Sequence, residues 1–229
     1  MFIPLHDANP VRHVRFAYVT YGIIGLNLIV FLIQISHGSG RAFDDFAITW
    51  AAIPTFFMNP LAPDRIAGLP DEVTLFTYAF LHADWLHLGS NMLFLWVFGD
   101  NIEDALGHLK FALFYLACAA LSALIFFAFA GANGGWLIGA SGAVAGVMGG
   151  YIVLYPHARV YVLFRLVIPI PLPVPALWML GIWAGLQVFY IAIGDQSPVA
   201  WWAHLGGLVA GAALVVPLKR REVALFGGR

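Results

Sequence analysis

The chain has 229 residues, of which 62% are hydrophobic and only 10% charged, with a formal net charge of −1 at pH 7. Soluble domains usually carry about 25% charged residues, so this composition predicts a polytopic membrane protein and excludes an ordinary soluble domain. The near-zero charge gives no indication of nucleic-acid binding, and the single cysteine, Cys118, excludes an intrachain disulfide.

Six apolar stretches predict membrane-spanning helices. In chain order they cover about residues 16–36, 85–98, 111–130, 141–155, 176–193 and 201–218. The second and fourth are shorter than the roughly 20 residues that cross a bilayer, so we expect protein or water around them as well as lipid. The predicted fold class is an all-α membrane protein, a six-helix bundle with a long first loop on the outer side.

The positions of Lys and Arg predict the orientation of the bundle. If the N-terminus is cytoplasmic, nine of the 11 basic residues, including Arg165 and Arg229, are on the inner side, and only Arg41 and Arg65 are outside. We therefore expect a cytoplasmic segment (residues 1–15), a six-span domain (residues 16–218) and a basic cytoplasmic tail (residues 219–229). No signal or transit peptide is recognisable, so the expected location is a bacterial or archaeal inner membrane.

Two loops have patterns of their own. The first loop, residues 37–84, contains apolar stretches at residues 46–57 and 75–80 that are expected to form amphipathic helices in the membrane interface. The loop between the fourth and fifth spans contains proline at every second position of Ile168–Pro175. This pattern forbids a helix and predicts an extended polyproline II segment.

Strongly polar residues are few within the predicted spans, and four of them fall at one depth. The second, fourth and sixth spans all run from the outside inward in the predicted topology. His87 and Asn91 lie one turn apart near the start of the second span, Ser141 opens the fourth, and His204 lies in the first turn of the sixth. Polar groups inside a membrane are costly, so this shared shallow depth makes the four residues functional candidates.

Glycines on the fourth and sixth spans predict close packing of these two helices. They are Gly142, Gly146, Gly150, Gly207 and Gly211. Such packing would bring the imidazole of His204 near the hydroxyl of Ser141, as a serine nucleophile and its base require. Asn91, a neutral His87 and the Ser141 N–H are candidate donors to an oxyanion. No Asp or Glu falls within the predicted spans, so we expect a Ser–His dyad without a third member.

With these motifs the sequence resembles the rhomboid family of intramembrane serine proteases. The matching segments are Thr77–Met92 (TYAFLHADWLHLGSNM), Gly139–Gly142, Ala203–Gly211, and a Gly-x-x-x-Glu-x-x-x-Gly pattern at Gly99, Glu103 and Gly107. The resemblance implies a six-transmembrane-helix rhomboid-like bundle with a water-filled cavity that opens outward. It also implies cleavage, within the lipid bilayer, of single-span membrane proteins near the outer membrane face.

The resemblance also implies roles for individual residues. Ser141 would be the nucleophile and His204 the general base, while His87, Asn91 and the Ser141 amide would form the oxyanion hole. Four glycines would support these groups: Gly139, Gly142, Gly207 and Gly211. Neither a metal nor a cofactor is expected.

Two departures from the family pattern affect the expected site. The first loop lacks the Trp-Arg pair that many members carry, so the pattern names no internal anchor for that loop. The aromatic residue that some members place four positions after the serine is Ala145 here. The residue that orients the His204 ring must therefore come from elsewhere in the chain.

Alternative roles exist for the same residues. Ser141 could be an ordinary helix N-cap, and His204 a packing residue. His82, His87 and His204 could bind zinc, although no carboxylate, cysteine or HExxH motif accompanies them. His87 and Asn91 could bridge helices by hydrogen bonds.

Other polar residues are expected to have structural roles. Gln187 and Asn27 are expected to form hydrogen bonds between helices, and His82 to support the first loop. Glu103 is expected to cap or pair at the cytoplasmic end, and Cys118 to pack in the interior.

Two other functions are compatible with a polytopic chain. One is a non-catalytic rhomboid-like protein that binds membrane helices as a chaperone or shuttle. The other is a small transporter or channel, which would need polar groups at mid-membrane depth. The shallow position of the polar residues argues against the transporter.

Overall fold

A computed structural model describes residues 2–38, 40–59, 70–131, 134–164 and 170–227. Five residues used in the predictions above lie outside these ranges: Arg65, Arg165, Ile168, Pro169 and Arg229.

The described residues form nine α-helices and three β-strands. The helices are α1 (Tyr18–Ser36), α2 (Arg41–Trp50), α3 (Pro54–Met58), α4 (Asp71–Thr77), α5 (Trp85–Leu106), α6 (His108–Ala130), α7 (Ser141–Leu154), α8 (Ala176–Ala192) and α9 (Trp201–Leu218). The strands are β1 (Phe2–Asp7), β2 (Arg159–Phe164) and β3 (Pro171–Pro175). A short 3-10 turn at Tyr78–Phe80 joins α4 to the segment before α5.

Three helices, α1, α6 and α9, are long and apolar enough to cross a membrane among the described residues. Two further apolar helices, α7 and α8, are shorter. The chain is thus a mostly helical membrane protein, as its composition predicts.

The expectation of an all-α fold is wrong in one respect, because the three strands form an antiparallel sheet in the order β1-β2-β3. Val160 of β2 pairs with Val174 of β3, and Phe2 of β1 pairs with Phe164 of β2. The described part of the proline-alternating segment, Pro171–Pro175, is therefore a paired strand rather than free polyproline II. An edge strand tolerates proline because the N–H groups that point away from the sheet have no bond to lose.

The second predicted span is longer than expected, since α5 continues to Leu106 instead of ending near residue 98. Its last turns carry acidic residues that we did not expect in a span. The buried carboxylate of Glu103 accepts hydrogen bonds from the backbone N–H and the hydroxyl of Thr20, each at 2.7 Å. The helix ends at Gly107, whose φ of 84° lies in the left-handed region that glycine adopts without strain.

The N-terminal segment wraps around this end of α5. Asp104 accepts backbone N–H groups of Arg12 and Val14 at 3.0 and 2.7 Å. The Asn9 amide donates to Asn101 at 2.6 Å. The polar groups of the acidic turns therefore have hydrogen-bond partners, which lowers the cost of burying them at the end of an apolar helix.

The first loop forms the short helices that its apolar stretches predict, although with different bounds. Residues 46–57 are divided between α2 and α3, and residues 75–80 between α4 and the 3-10 turn. Between α2 and α3, Ala52 exchanges two backbone hydrogen bonds with Leu137, at 2.9 and 3.1 Å. The first loop thus holds the segment that leads into α7.

Helix α7 lies at the centre of the bundle, with ten consecutive residues, 142–151, buried. It packs against α5, α6 and α9. A Cβ on Gly211 of α9 would overlap the carbonyl oxygen of Gly146 in α7. The two backbones are therefore in direct contact, and this contact sets where the first turn of α9 lies.

Candidate active site

Ser141 is the first residue of α7, and Ala140 occupies the N-cap position without a side-chain capping bond. The alternative role of Ser141 as an N-cap is therefore wrong. The chain turns sharply at Gly139-Ala140, just before Ser141. Gly139 has a φ of 113°, a conformation that few other residues adopt. The Gly139 N–H donates to the carbonyl of Tyr78 at 3.0 Å. The serine thus follows a turn that is fixed from the first loop.

His204, in the first turn of α9, faces Ser141. Its Nε2 lies 2.9 Å from the Ser141 Oγ. Two contacts fix this end of α9: the hydroxyl of Ser122 in α6 donates to the Ala203 carbonyl at 2.7 Å, and a Cβ on Gly207 would overlap the Gly142 carbonyl. The serine and the imidazole are therefore within hydrogen-bond distance on two helices whose backbones are in direct contact.

The other ring nitrogen of His204 contacts a residue that the sequence analysis did not place in the site. Nδ1 lies 2.8 Å from Oε1 of Gln187, which is buried on α8. The Trp183 and Trp201 rings flank the imidazole, with ring centroids 5.7 and 6.0 Å from it. Gln187 does form the expected interhelical bond, but its partner is the candidate base. Its polarity in an otherwise apolar stretch was the signal available in the sequence.

His87 and Asn91 of α5 lie against the turn before Ser141. A Cβ on Gly139 would lie 2.6 Å from Nε2 of His87 and 3.7 Å from Nδ2 of Asn91. The Ala83 N–H points to Nδ1 of His87 at 3.3 Å, so Nδ1 accepts and the ring proton of a neutral His87 is on Nε2. Both nitrogens beside Gly139 are therefore hydrogen-bond donors.

The Nδ2 atom of Asn91 is buried and has no hydrogen-bond partner among the described residues. An unpaired buried donor is costly, and such groups in native proteins usually have a functional reason. The described hydrogen bond of the His87 side chain is with the Ala83 N–H, next to the start of its own helix, and its ring packs against that of His82. The alternative in which these two side chains bridge helices by hydrogen bonds therefore finds no support in the described residues.

His82 lies beneath the turn before Ser141. Its Nε2 faces the Ala140 N–H at 3.4 Å, and its backbone forms two bonds with the Gln34 amide of α1, at 3.0 and 3.1 Å. These contacts join α1, the first loop and the turn. No group of three or more potential metal-binding side chains occurs in the part of the chain that the structure describes.

The acidic residues of α5 lie far from this site. Glu103 follows His87 by four turns or more, which corresponds to about 24 Å along an α-helix. Glu103 is bound to Thr20 at the opposite end of the bundle, in the structural role that the sequence predicts. Asn27 of α1 is also distant in the chain from the site residues, and it donates to the Ile23 carbonyl of its own helix.

Comparison with known proteins identifies the family. The model of the Rhomboid domain matches residues 70–221. Rhomboid protein 1, mitochondrial, of Saccharomyces cerevisiae is 30% identical over 203 residues, which cover 84% of this chain and 51% of that protein. Rhomboid protease GlpG of Klebsiella pneumoniae is 30% identical over 148 residues, which cover 61% of this chain and 46% of that protein.

A third relative, RHOMBOID-like protein 12, mitochondrial, of Arabidopsis thaliana, is 35% identical over 157 residues, which cover 61% of this chain and 44% of that protein. The chain spans about half the length of the curated relatives it matches. The matched domain covers more than half of the chain and contains every residue of the site described above, which confirms the resemblance: the chain belongs to the rhomboid family.

Proposed function

We propose that this protein is an intramembrane serine endopeptidase of the rhomboid type. The observation that carries the proposal is the 2.9 Å contact between Ser141 Oγ and His204 Nε2. A serine hydroxyl becomes a nucleophile when an adjacent base accepts its proton, and a neutral imidazole is suited to that task near neutral pH. The name of the Klebsiella relative, a rhomboid protease, agrees with this chemistry.

The reaction uses the two groups in turn. His204 Nε2 takes the proton from Ser141 while Oγ attacks the carbonyl carbon of the substrate peptide bond. The same imidazole then gives the proton to the departing amine, and the C–N bond breaks to leave an acyl-serine. A water molecule, deprotonated by His204, hydrolyses this ester and restores the free serine.

Three donors stabilise the negative oxygen that forms during each attack. They are Nε2–H of His87, Nδ2–H of Asn91 and the backbone N–H of Ser141. The unpaired Asn91 amide supports this role, since a donor without a partner in the resting protein is available to the oxyanion. A single donor of this kind is typically worth about 3–4 kcal/mol of barrier.

The proposed arrangement in the membrane has six spans: α1, α5, α6, α7, α8 and α9. Their alternation places the starts of α5, α7 and α9 just beneath the outer face, with both chain termini in the cytoplasm of a bacterial or archaeal cell. Residues 16–218 form the catalytic domain. The substrate is a single-span membrane protein whose helix unwinds beside α5 and α8, because a helical peptide bond is shielded by its own hydrogen bonds.

The proposal is tested with the purified protein and a transmembrane substrate. The wild type is expected to cleave the substrate, and Ser141→Ala is expected to abolish cleavage; undiminished cleavage by this variant would contradict the proposal. A fluorophosphonate probe is expected to label Ser141 in the wild type but not in His204→Ala. A wild type that binds the substrate but neither cleaves it nor reacts with the probe would instead be a non-catalytic binder of membrane helices.

A further inference from the structure

A buried amide connects the imidazole of the candidate site to the backbone of the neighbouring helix. Gln187 is 3% exposed, and its Oε1 lies 2.8 Å from His204 Nδ1. Its Nε2 donates to the carbonyl of Trp183, one turn earlier in α8, at 2.9 Å. The amide is therefore bonded at both ends.

These two bonds determine the orientation of the amide. The Trp183 carbonyl can only accept a hydrogen bond, so the NH₂ group of Gln187 must face it. The amide oxygen must then face His204, and since that oxygen can also only accept, Nδ1 of the ring must carry the proton. In a neutral imidazole with a proton on Nδ1, Nε2 has a free lone pair. That lone pair is directed at the hydroxyl of Ser141, where the base is needed.

The surroundings of the ring leave Gln187 as its polar partner on this side. Trp183 and Trp201 flank the imidazole with aromatic rings, which limit its rotation but supply no acceptor. Among the described residues, no carboxylate is bonded to His204. Ala145, on α7, is too short to stack against the ring from the position where some family members have an aromatic residue.

We propose that Gln187 is the positioning residue of this site and performs the orienting part of the task that a carboxylate performs in a Ser–His–Asp triad. The inference rests on the proposed endopeptidase function. The amide holds the ring in one orientation and in one tautomer. Being neutral, it contributes no full negative charge toward the imidazolium that forms when Ser141 loses its proton, which a carboxylate would do.

The experiment compares two substitutions at this position. Gln187→Leu removes the acceptor while keeping a buried side chain of similar size, and we expect kcat to fall on the order of tenfold or more with KM little changed. Gln187→Glu keeps an acceptor for the Nδ1 proton of His204 and adds charge, although it replaces the NH₂ group that donates to the Trp183 carbonyl by an oxygen. It is expected to retain more activity than the leucine variant and to move the acid limb of the pH–rate profile to higher pH, because a carboxylate stabilises the imidazolium.

Asn27→Leu is the matched control, because Asn27 is also a buried amide that donates to a carbonyl one turn earlier, but on α1. It is expected to keep wild-type kcat. The rate of fluorophosphonate labelling, normalised to folded protein, provides a second measurement that does not need the substrate. Should the leucine variant be too unstable to purify, the shifted acid limb of Gln187→Glu remains decisive.

The outcomes separate this inference from the proposed function. A wild type that neither cleaves nor labels would remove both. The role of Gln187 alone would be overturned if the wild type cleaves the substrate, Ser141→Ala does not, and the leucine variant keeps an unchanged kcat. An unshifted acid limb in the glutamate variant would overturn it in the same way.

Discussion

At the scale of single residues, Asn91 combines a structural cost with a proposed catalytic gain. Its buried Nδ2 has no partner among the described residues. Replacing such a group by an apolar one does not break a hydrogen bond in the resting protein, so its removal relieves a desolvation cost. The same group is proposed to donate to the oxyanion, so its removal is expected to raise the barrier of the reaction by the full contribution of one donor.

Asn91→Ala is therefore expected to lower kcat by about 10²–10³-fold, the usual effect of losing one oxyanion donor. Its thermal unfolding temperature in detergent is expected to stay near or above that of the wild type. Cleavage kinetics and a thermal melt on the same preparation provide the two measurements. A kcat within twofold of the wild type would show that the amide does not contact the oxyanion.

At the scale of elements, the contact between α7 and α9 positions the candidate base. Gly211→Ala is expected to destabilise the protein by about 1–3 kcal/mol, because the added methyl would overlap the Gly146 carbonyl and backbone cannot yield as a side chain can. The control is Gly25→Ala on α1, where no atom lies within 4 Å of the added Cβ. This control is expected to be neutral or slightly stabilising. Equal unfolding temperatures for the two variants would contradict the close packing.

The same elements show what a sequence can and cannot predict. The glycine spacing on α7 and α9, together with the alternation of the spans, was enough to place Ser141 opposite His204, because helical periodicity fixes which residues share a face. The contact between Gln187 and His204 was not predictable in this way. A polar residue in an apolar helix can be recognised in the sequence, but its partner depends on how α8 is rotated against α9.

The sheet and the end of α5 were missed for a different reason. Alternating prolines are compatible with polyproline II and with an edge strand, and the choice is made by β2, which supplies the pairing partners. Likewise, the acidic end of α5 looks like the end of a span until the N-terminal segment donates N–H groups to Asp104 and the first turn of α1 donates N–H groups to Glu103. Both features depend on partners distant in the chain, which local patterns do not reveal.

At the scale of the whole molecule, Asp7 of β1 connects the C-terminal ends of α5 and α7, the two helices whose N-terminal ends carry His87, Asn91 and Ser141. Its carboxylate accepts a hydrogen bond from Asn101 of α5 at 2.9 Å and another from the hydroxyl of Tyr151 in α7. Burial, assisted by the nearby Asp100, raises the pKa of Asp7 to about 7, while the Tyr151 bond and His6 oppose the rise. The folded protein therefore holds this proton at pH values where the unfolded chain has lost it.

This difference gives a stability that depends on pH. Because the folded pKa lies above the unfolded value, the contribution of Asp7 is fully present at low pH and is lost as pH rises toward about 7. We expect the difference in unfolding temperature between Asp7→Asn and the wild type to move in favour of the variant between pH 5 and pH 8. Melting curves at both pH values measure it, and parallel shifts of the two proteins would contradict the assignment.

The pairing of β1 with β2 also has a consequence for biosynthesis. Phe2 leaves the ribosome long before its partner Phe164, which is added only after α7 is complete. At usual elongation rates of about 5–20 residues per second, the first strand waits on the order of ten seconds or more for its neighbour. Strand β1 can therefore pair only after α1, α5, α6 and α7 have been synthesised, so the sheet forms later than these four helices.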